Sequence, residues 1–143
     1  MKLQEKSAQQ LEKIADRWFS WYVRLDFADM DGNCKCCTCG KVKPWKQMDN
    51  GHYVSRDRNA TRYHFRNCAP QCRWCNSYKH GMKEEHARFI DAKYGAGTAE
   101  DLKNLDAMPS KALSRDYYLL IISDFKAGVK LMEKEKGLRV NES

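Results

Sequence analysis

Cys36, Cys39, Cys72 and Cys75 make two Cys-x-x-Cys pairs separated by 32 residues. Two knuckles of this kind hold one Zn²⁺ through four thiolates. The usual interval between such pairs is about 15–20 residues, so something has been built between them here. That insertion carries Asp49, His52 and Asn67, and Asn76 follows the last cysteine directly. The chain has seven cysteines, and in a reducing compartment an odd count with metal-ligand spacing favours metal over disulfides. Cys34 and Cys37 offer a second register, 34/37. Gly40 favours 36/39, because glycine after the second cysteine permits the left-handed backbone that brings amides to the thiolate.

His52 is the candidate base. A neutral imidazole can take a proton from water. Beside a divalent metal it would activate that water against a phosphodiester, the metal neutralising phosphate charge. The competing role is a hydrogen-bonded structural histidine. Asn76 stands where zinc fixes the backbone, so its carboxamide oxygen could face a hard metal. His80, four residues on, would share its helix face, although capping a helix C-terminus beside Gly81 suits His80 as well. Asn67 is neutral and cannot be a base. It reads as a buried bridge between loop backbone groups that holds His52 in orientation.

Charge says what these residues would act on. Residues 41–80 contain nine Lys or Arg and two Asp, which accounts for the whole net charge of +7. A basic window of this kind points to a polyanion, DNA above all. Arg56, Arg58, Arg62, Arg66 and Lys79 are the candidate phosphate contacts, arginine's fork matching phosphate oxygens.

At 143 residues the chain suits one domain. The apolar spacing of Leu3, Leu11, Ile14, Trp18, Tyr22 and Leu25 predicts a helix over 2–26, with Ser7 and Gln10 on its polar face. Its aromatics, Trp18, Phe19, Trp21 and Tyr22, read as core. A turn is expected at 29–33. Residues 47–56 form either a hairpin around Asn50-Gly51 or a strand carrying His52. Helices are predicted over about 73–80, over 83–94 ended by Gly95, over 99–107 with a Thr98/Asp101 capping box and a break at Pro109, and over 114–136 stopped by Gly137. Residues 139–143 read as a frayed tail. The terminal helices could pack as an antiparallel pair, or their stripes could pair with a second copy as a homodimer. No run of 18 apolar residues predicts a membrane span. The N-terminus has no signal-peptide core, so a cytoplasmic location is expected.

Cys-x-x-Cys-Gly, Gly51-His52-Tyr53, Arg62, Asn67, Gln71-Cys72-x-x-Cys75-Asn76 and the downstream Tyr94-Gly95-x-Gly97-Thr98 together resemble the NinG/Rap recombination nucleases of lambda-like phages. Those are similar in turn to zinc-containing HNH, or ββα-metal, endonucleases. The resemblance covers roughly residues 10–106. It implies a Mg²⁺- or Mn²⁺-dependent endonuclease acting on branched DNA such as Holliday junctions and D-loops, in a host cytoplasm if the chain is phage-encoded. By position, His52 is the general base, Asn67 the middle residue and Asn76 a metal ligand. Gly51 departs from the pattern, since many such enzymes place an acid or histidine ligand just before the base. Asp49 is the first substitute ligand and His80 the second.

The expected architecture is therefore α+β: an HNH-like zinc-braced ββα-metal core over 34–81, flanked by the helix at 2–26 and a helical part over 82–137. Two rival functions stay open. One is a zinc-ribbon DNA-binding module without catalysis. The other is a sequence-specific HNH endonuclease.

Overall fold

Helix α1 begins at Ala8 because Ser7 caps it. In the computed structural model, which describes residues 1–107 and 112–141, the Ser7 hydroxyl accepts the Gln10 N–H while the Gln10 side chain accepts the Ser7 N–H. This reciprocal box satisfies two orphan donors. It also ends the expectation of one helix from residue 2. Leu3–Glu5 is a separate 3₁₀ turn, and Ser7 and Gln10 serve as caps. From Ala8 to Phe27, α1 turns Leu11, Ala15, Phe19 and Val23 into the core.

Four short strands follow in two antiparallel pairs. Strand β1 (Asn33–Lys35) pairs with β2 (Val42–Pro44), and β3 (Asp49–His52) with β4 (Cys68–Gln71). The first cysteine pair sits in the β1–β2 connection. The second begins directly after β4. Residues 47–56 therefore carry a strand with His52 opposite Cys68, and Asn50-Gly51 lies inside that strand, not at a hairpin tip.

The segment expected to be helical over 73–80 is one wide turn, Trp74–Tyr78, with backbone bonds of the π type. His80 beyond it adopts φ 53°. The shared helical face of Asn76 and His80 is lost. Helix α2 (Lys83–Tyr94) then ends at Gly95, as its sequence signal predicts. Helix α3 (Thr98–Ala107) follows. Its cap comes from α2, where Asp91 accepts the Ala99 N–H, while the Thr98 hydroxyl donates to the Gly95 carbonyl. The Thr98/Asp101 box is replaced by these bonds. The expected break at Pro109 lies outside the described residues. Helix α4 runs Arg115–Lys136 between Ser114, whose side chain accepts the Tyr117 N–H, and Gly137 at φ 68°.

Helices α1 and α4 pack side by side in the same direction. Arg115 at the start of α4 donates to the Lys6 carbonyl, and Tyr118 to Glu12. Gly128 sits against Tyr22, where a Cβ would come within 2.8 Å of the ring. At the far end the Lys136 ammonium donates to the carbonyls of Leu25, Asp26 and Ala28, at 2.6, 2.9 and 2.7 Å. Lysine there satisfies the orphan acceptors of a helix end. The pair is parallel, not antiparallel, because the core and α2–α3 between them carry the chain back to its start.

This packing buries Tyr118, Ile121, Ile122 and Val129 against α1. Burying a large apolar side chain is worth about 1.5–3 kcal/mol, so the stripe is spent within the protomer. Much of the apolar surface that suggested a dimer through the terminal helices is used in this packing, while Leu120 and Leu131 on the other side of α4 stay exposed. The tail also folds back: the Val140 N–H donates to Glu133, and Leu138 and Val140 pack on the core. Among the described residues, no helix is long and apolar enough to cross a membrane.

Candidate active site and metal centre

The sulfurs of Cys36, Cys39, Cys72 and Cys75 lie within 4.8 Å of one another. Cys39 and Cys72 are 3.7 Å apart. Four sulfurs around one zinc, at Zn–S of about 2.3 Å, would be separated by about 3.8 Å, so this donor set fits a structural Zn²⁺. The first knuckle closes through Cys36 N–H to Lys41 and Gly40 N–H to Cys36, with Gly40 at φ 79°. Burial would raise the Cys36 thiol, but hydrogen bonds from the Thr38 hydroxyl and the Cys72 N–H outweigh it and bring it down to about 6. One thiolate is thus favoured before metal arrives.

The other three cysteines are different. Cys34 donates to the Arg24 carbonyl, and burial pushes its thiol up to about 11. Burial likewise raises Cys37 and Cys68. The four sulfurs that converge are those of the 36/39 register, with Cys34, Cys37 and Cys68 outside that group.

Strand β3 runs from this centre into a cavity of about 360 Å³ lined by Asp49, Asn50, His52, Arg56, Arg73 and Asn76, with α1 forming another wall. His52 Nε2 lies 3.0 Å from the Arg62 carbonyl. A carbonyl only accepts, so Nε2 carries the proton and Nδ1 holds the lone pair. Burial, against partial opposition from the carbonyls of Arg62 and Asn50, lowers its pKa to about 4. At neutral pH the ring is uncharged and able to accept a proton.

Asn67 and Arg62 hold that ring in place. Asn67 is fully buried. Its amide donates to the carbonyls of Val54 and Thr61, and its oxygen accepts the Val54 N–H. The bridge fixes Thr61, and with it the next residue, whose carbonyl meets His52. The Arg62 guanidinium grips Asp16 of α1 at 3.0 and 2.6 Å and also bonds the Arg56 carbonyl. Glu12 lies 3.4 Å from it, and the Tyr63 hydroxyl donates to the same Asp16. With its side chain 9 % exposed, Arg62 belongs to the protein interior and not to the DNA-facing set proposed for it. Arg62→Ala should therefore cost about 3 kcal/mol, as breaking a buried pair does, read by urea unfolding.

Arg56, Arg58, Arg66 and Lys79 all stand at the surface. Arg56 borders the His52 cavity. Arg66 lies over the rings of Phe65 and Tyr94. Spacing alone could not separate Arg62 from these, because its partner is 46 residues away in sequence.

The Asn76 amide donates to Asp49 Oδ2 at 3.1 Å, and Arg73 bonds both Asp49 oxygens. The Asn76 oxygen is thus left for another partner. Asn50 Oδ1, on the same cavity wall, is buried without a hydrogen-bond partner. A carboxylate, a carboxamide oxygen and an orphaned acceptor beside a neutral imidazole fit a hard divalent cation. His80 does not line this cavity, so Asp49 is the better second ligand.

Gln71 stands in the sequence motif beside Cys72, but the sequence assigns it no role. It is fully buried and donates to Thr38 in the first knuckle and to the Gly81 carbonyl. Its side chain lies over Gly51: a Cβ there would meet Gln71 Oε1 at 2.3 Å and its Cβ at 2.9 Å. The place before the base is glycine because glutamine fills the space. Gly51→Ala, and equally Gly51→Asp, should destabilise the fold by about 1–3 kcal/mol through overpacking, measurable by urea unfolding.

Residues 1–135 match the family model described as Bacteriophage Lambda NinG protein. The chain belongs to the phage lambda NinG family. No curated protein and no solved structure matches the chain. For this NinG-family chain, the match spans both the cysteine cluster and the His52 cavity.

Proposed function

We propose that this NinG-family protein is a Mg²⁺- or Mn²⁺-dependent endonuclease that cuts branched DNA in phage recombination. The observation that carries the reading is the convergence of neutral His52 with Asp49 and Asn76 on one cavity in the most basic part of the chain. On this reading, strands β3 and β4 would serve as the two strands of an HNH-like ββα-metal core, with the turn that bears Asn76 in the place of its helix. Four thiolates would brace them with Zn²⁺.

In the reaction, His52 Nδ1 takes a proton from water as the water oxygen attacks phosphorus, the bond to the leaving 3′- or 5′-oxygen breaks, and that oxygen takes a proton from solvent to leave as the hydroxyl. A divalent ion held by Asp49 and Asn76 would supply charge neutralisation at the phosphate and the leaving oxygen. The Arg62 carbonyl keeps Nε2 protonated, so Nδ1 stays the acceptor. Arg56 binds phosphate at the cavity rim.

Branch selectivity is tested by moving the crossover several base pairs within one sequence. Cuts that follow the crossover support the reading. Cuts that stay with the sequence make the protein a sequence-specific HNH enzyme.

A further inference from the structure

Trp74 and Tyr78 are 57 % and 69 % exposed. Large aromatics on one small surface are unusual when the core could take them. Phe19 is 1 % exposed and Trp45 4 %, whereas Trp74 and Tyr78 are more exposed than any other aromatic side chain among the described residues, Phe65 coming next at 51 %. The two exposed rings lie with centroids 5.3 Å apart and planes 33° from each other. Lys79 Nζ sits 5.6 Å from the centre of the Trp74 ring.

Their place is as telling as their exposure. Trp74 lies inside the second knuckle, between Cys72 and Cys75, and Tyr78 ends the turn that follows. Arg73, directly before Trp74, and Asn76, directly after Cys75, both line the His52 cavity. The cluster that fits zinc therefore fixes the backbone beneath the rings and beneath the candidate metal ligand together.

We infer that Trp74 and Tyr78 form a stacking platform for an unpaired nucleobase next to the cut site, a function that rests on the endonuclease reading above. The cationic setting selects the occupant. Lys79 stands against the Trp74 ring, and a base attached to a phosphate chain offers a π-face to the aromatics and negative charge to this cation. Paired duplex keeps its bases stacked inside and cannot use the platform. The centre of a junction, a flap or a single strand can. Branch preference then arises beside the reacting phosphate, from unstacked bases, without any base-edge readout.

The test measures binding, in the absence of added divalent metal, of zinc-loaded wild type, the Trp74→Ala/Tyr78→Ala double variant and Trp74→Phe. The probes are a labelled four-way junction, a single strand and a blunt duplex. Zinc content and circular dichroism certify that each variant is folded. The double variant should lose roughly tenfold on the junction and the single strand, the worth of a base–aromatic stack, and little on the duplex. Its salt slope should be unchanged, since no phosphate contact is removed. Trp74→Phe should restore most of the loss, and a single strand should quench wild-type tryptophan emission more than that of Trp74→Phe. Unchanged junction affinity, or an equal loss on duplex, overturns the platform while leaving the endonuclease reading intact. So does a double variant that changes oligomeric state and not DNA affinity, for the rings would then be a protein contact. Failure of wild type to bind any of the three DNAs overturns the endonuclease reading itself.

Discussion

Cys72→Ser protein is expected to purify without zinc and to lose its cooperative unfolding transition. A structural four-thiolate site contributes on the order of 10 kcal/mol of folding free energy. That is comparable to the whole stability of an ordinary domain, about 5–15 kcal/mol. Here the consequence reaches far, because the cysteines are packed with Leu25, Trp45, Met48 and Val129. Those residues tie α1 and α4 to the knuckles. Cys72 also follows β4 directly, and its N–H donates to Cys36. Losing it frees both the strand that pairs with β3 and the turn that carries Asn76. Cys34→Ser should keep its zinc, since that sulfur faces the Arg24 carbonyl and not the cluster. Elemental analysis with thermal melts decides. A Cys72→Ser protein that melts cooperatively like wild type would mean the four sulfurs do not hold the fold.

His52→Ala should reduce cleavage by about 10²–10⁴-fold, the range for removing a general base, with DNA affinity nearly unchanged. The ring contacts the Arg62 carbonyl and packs near Phe19 with centroids 6.2 Å apart, so its loss should not collapse the loop that Asn67 holds. The pH profile carries a second signature. A base works in its neutral form, and His52 is lowered to about 4 by burial. Its contribution should therefore persist down to about pH 5, where an ordinary histidine of pKa about 6.5 would already be mostly protonated. Folding is linked in the same sense. The unfolded chain takes up this proton near pH 6.5 and the folded chain near 4. The stability His52 contributes is fully present above pH 6.5 and declines as pH falls between those values. An acid limb near pH 6.5 in wild type would mean that a solvated group, not His52, is the base.

The parts of this molecule that announce themselves in sequence are those set by local chemistry. Gly95 and Gly137 stop α2 and α4 where expected, and Ser114 starts α4. Cys-x-x-Cys spacing reaches the right four sulfurs once Gly40 selects the register. The buried bridging role of Asn67 is also legible, because asparagine competes for backbone hydrogen bonds wherever it is enclosed. What was hidden depends on distant partners. Periodicity gives a helix its apolar face but no direction, so the parallel α1–α4 pair could not be read. A basic window does not reveal that Arg62 is held by Asp16. The motif includes Gln71 but not its role, which comes from lying over Gly51 while reaching Thr38 and the Gly81 carbonyl. Ser7 reads from sequence as part of a polar face, since its capping role appears only when Gln10 closes the box.

The most direct measurement takes zinc-loaded wild type and His52→Ala with an end-labelled four-way junction, with and without added Mg²⁺. Binding is read on native gels and cleavage on denaturing gels from the same samples. The account predicts that both proteins bind and that only wild type cuts, only when Mg²⁺ is present. Two proteins that bind alike while neither cuts would contradict it and leave a zinc-braced DNA-binding module. Equal cutting by both would place the base elsewhere than His52.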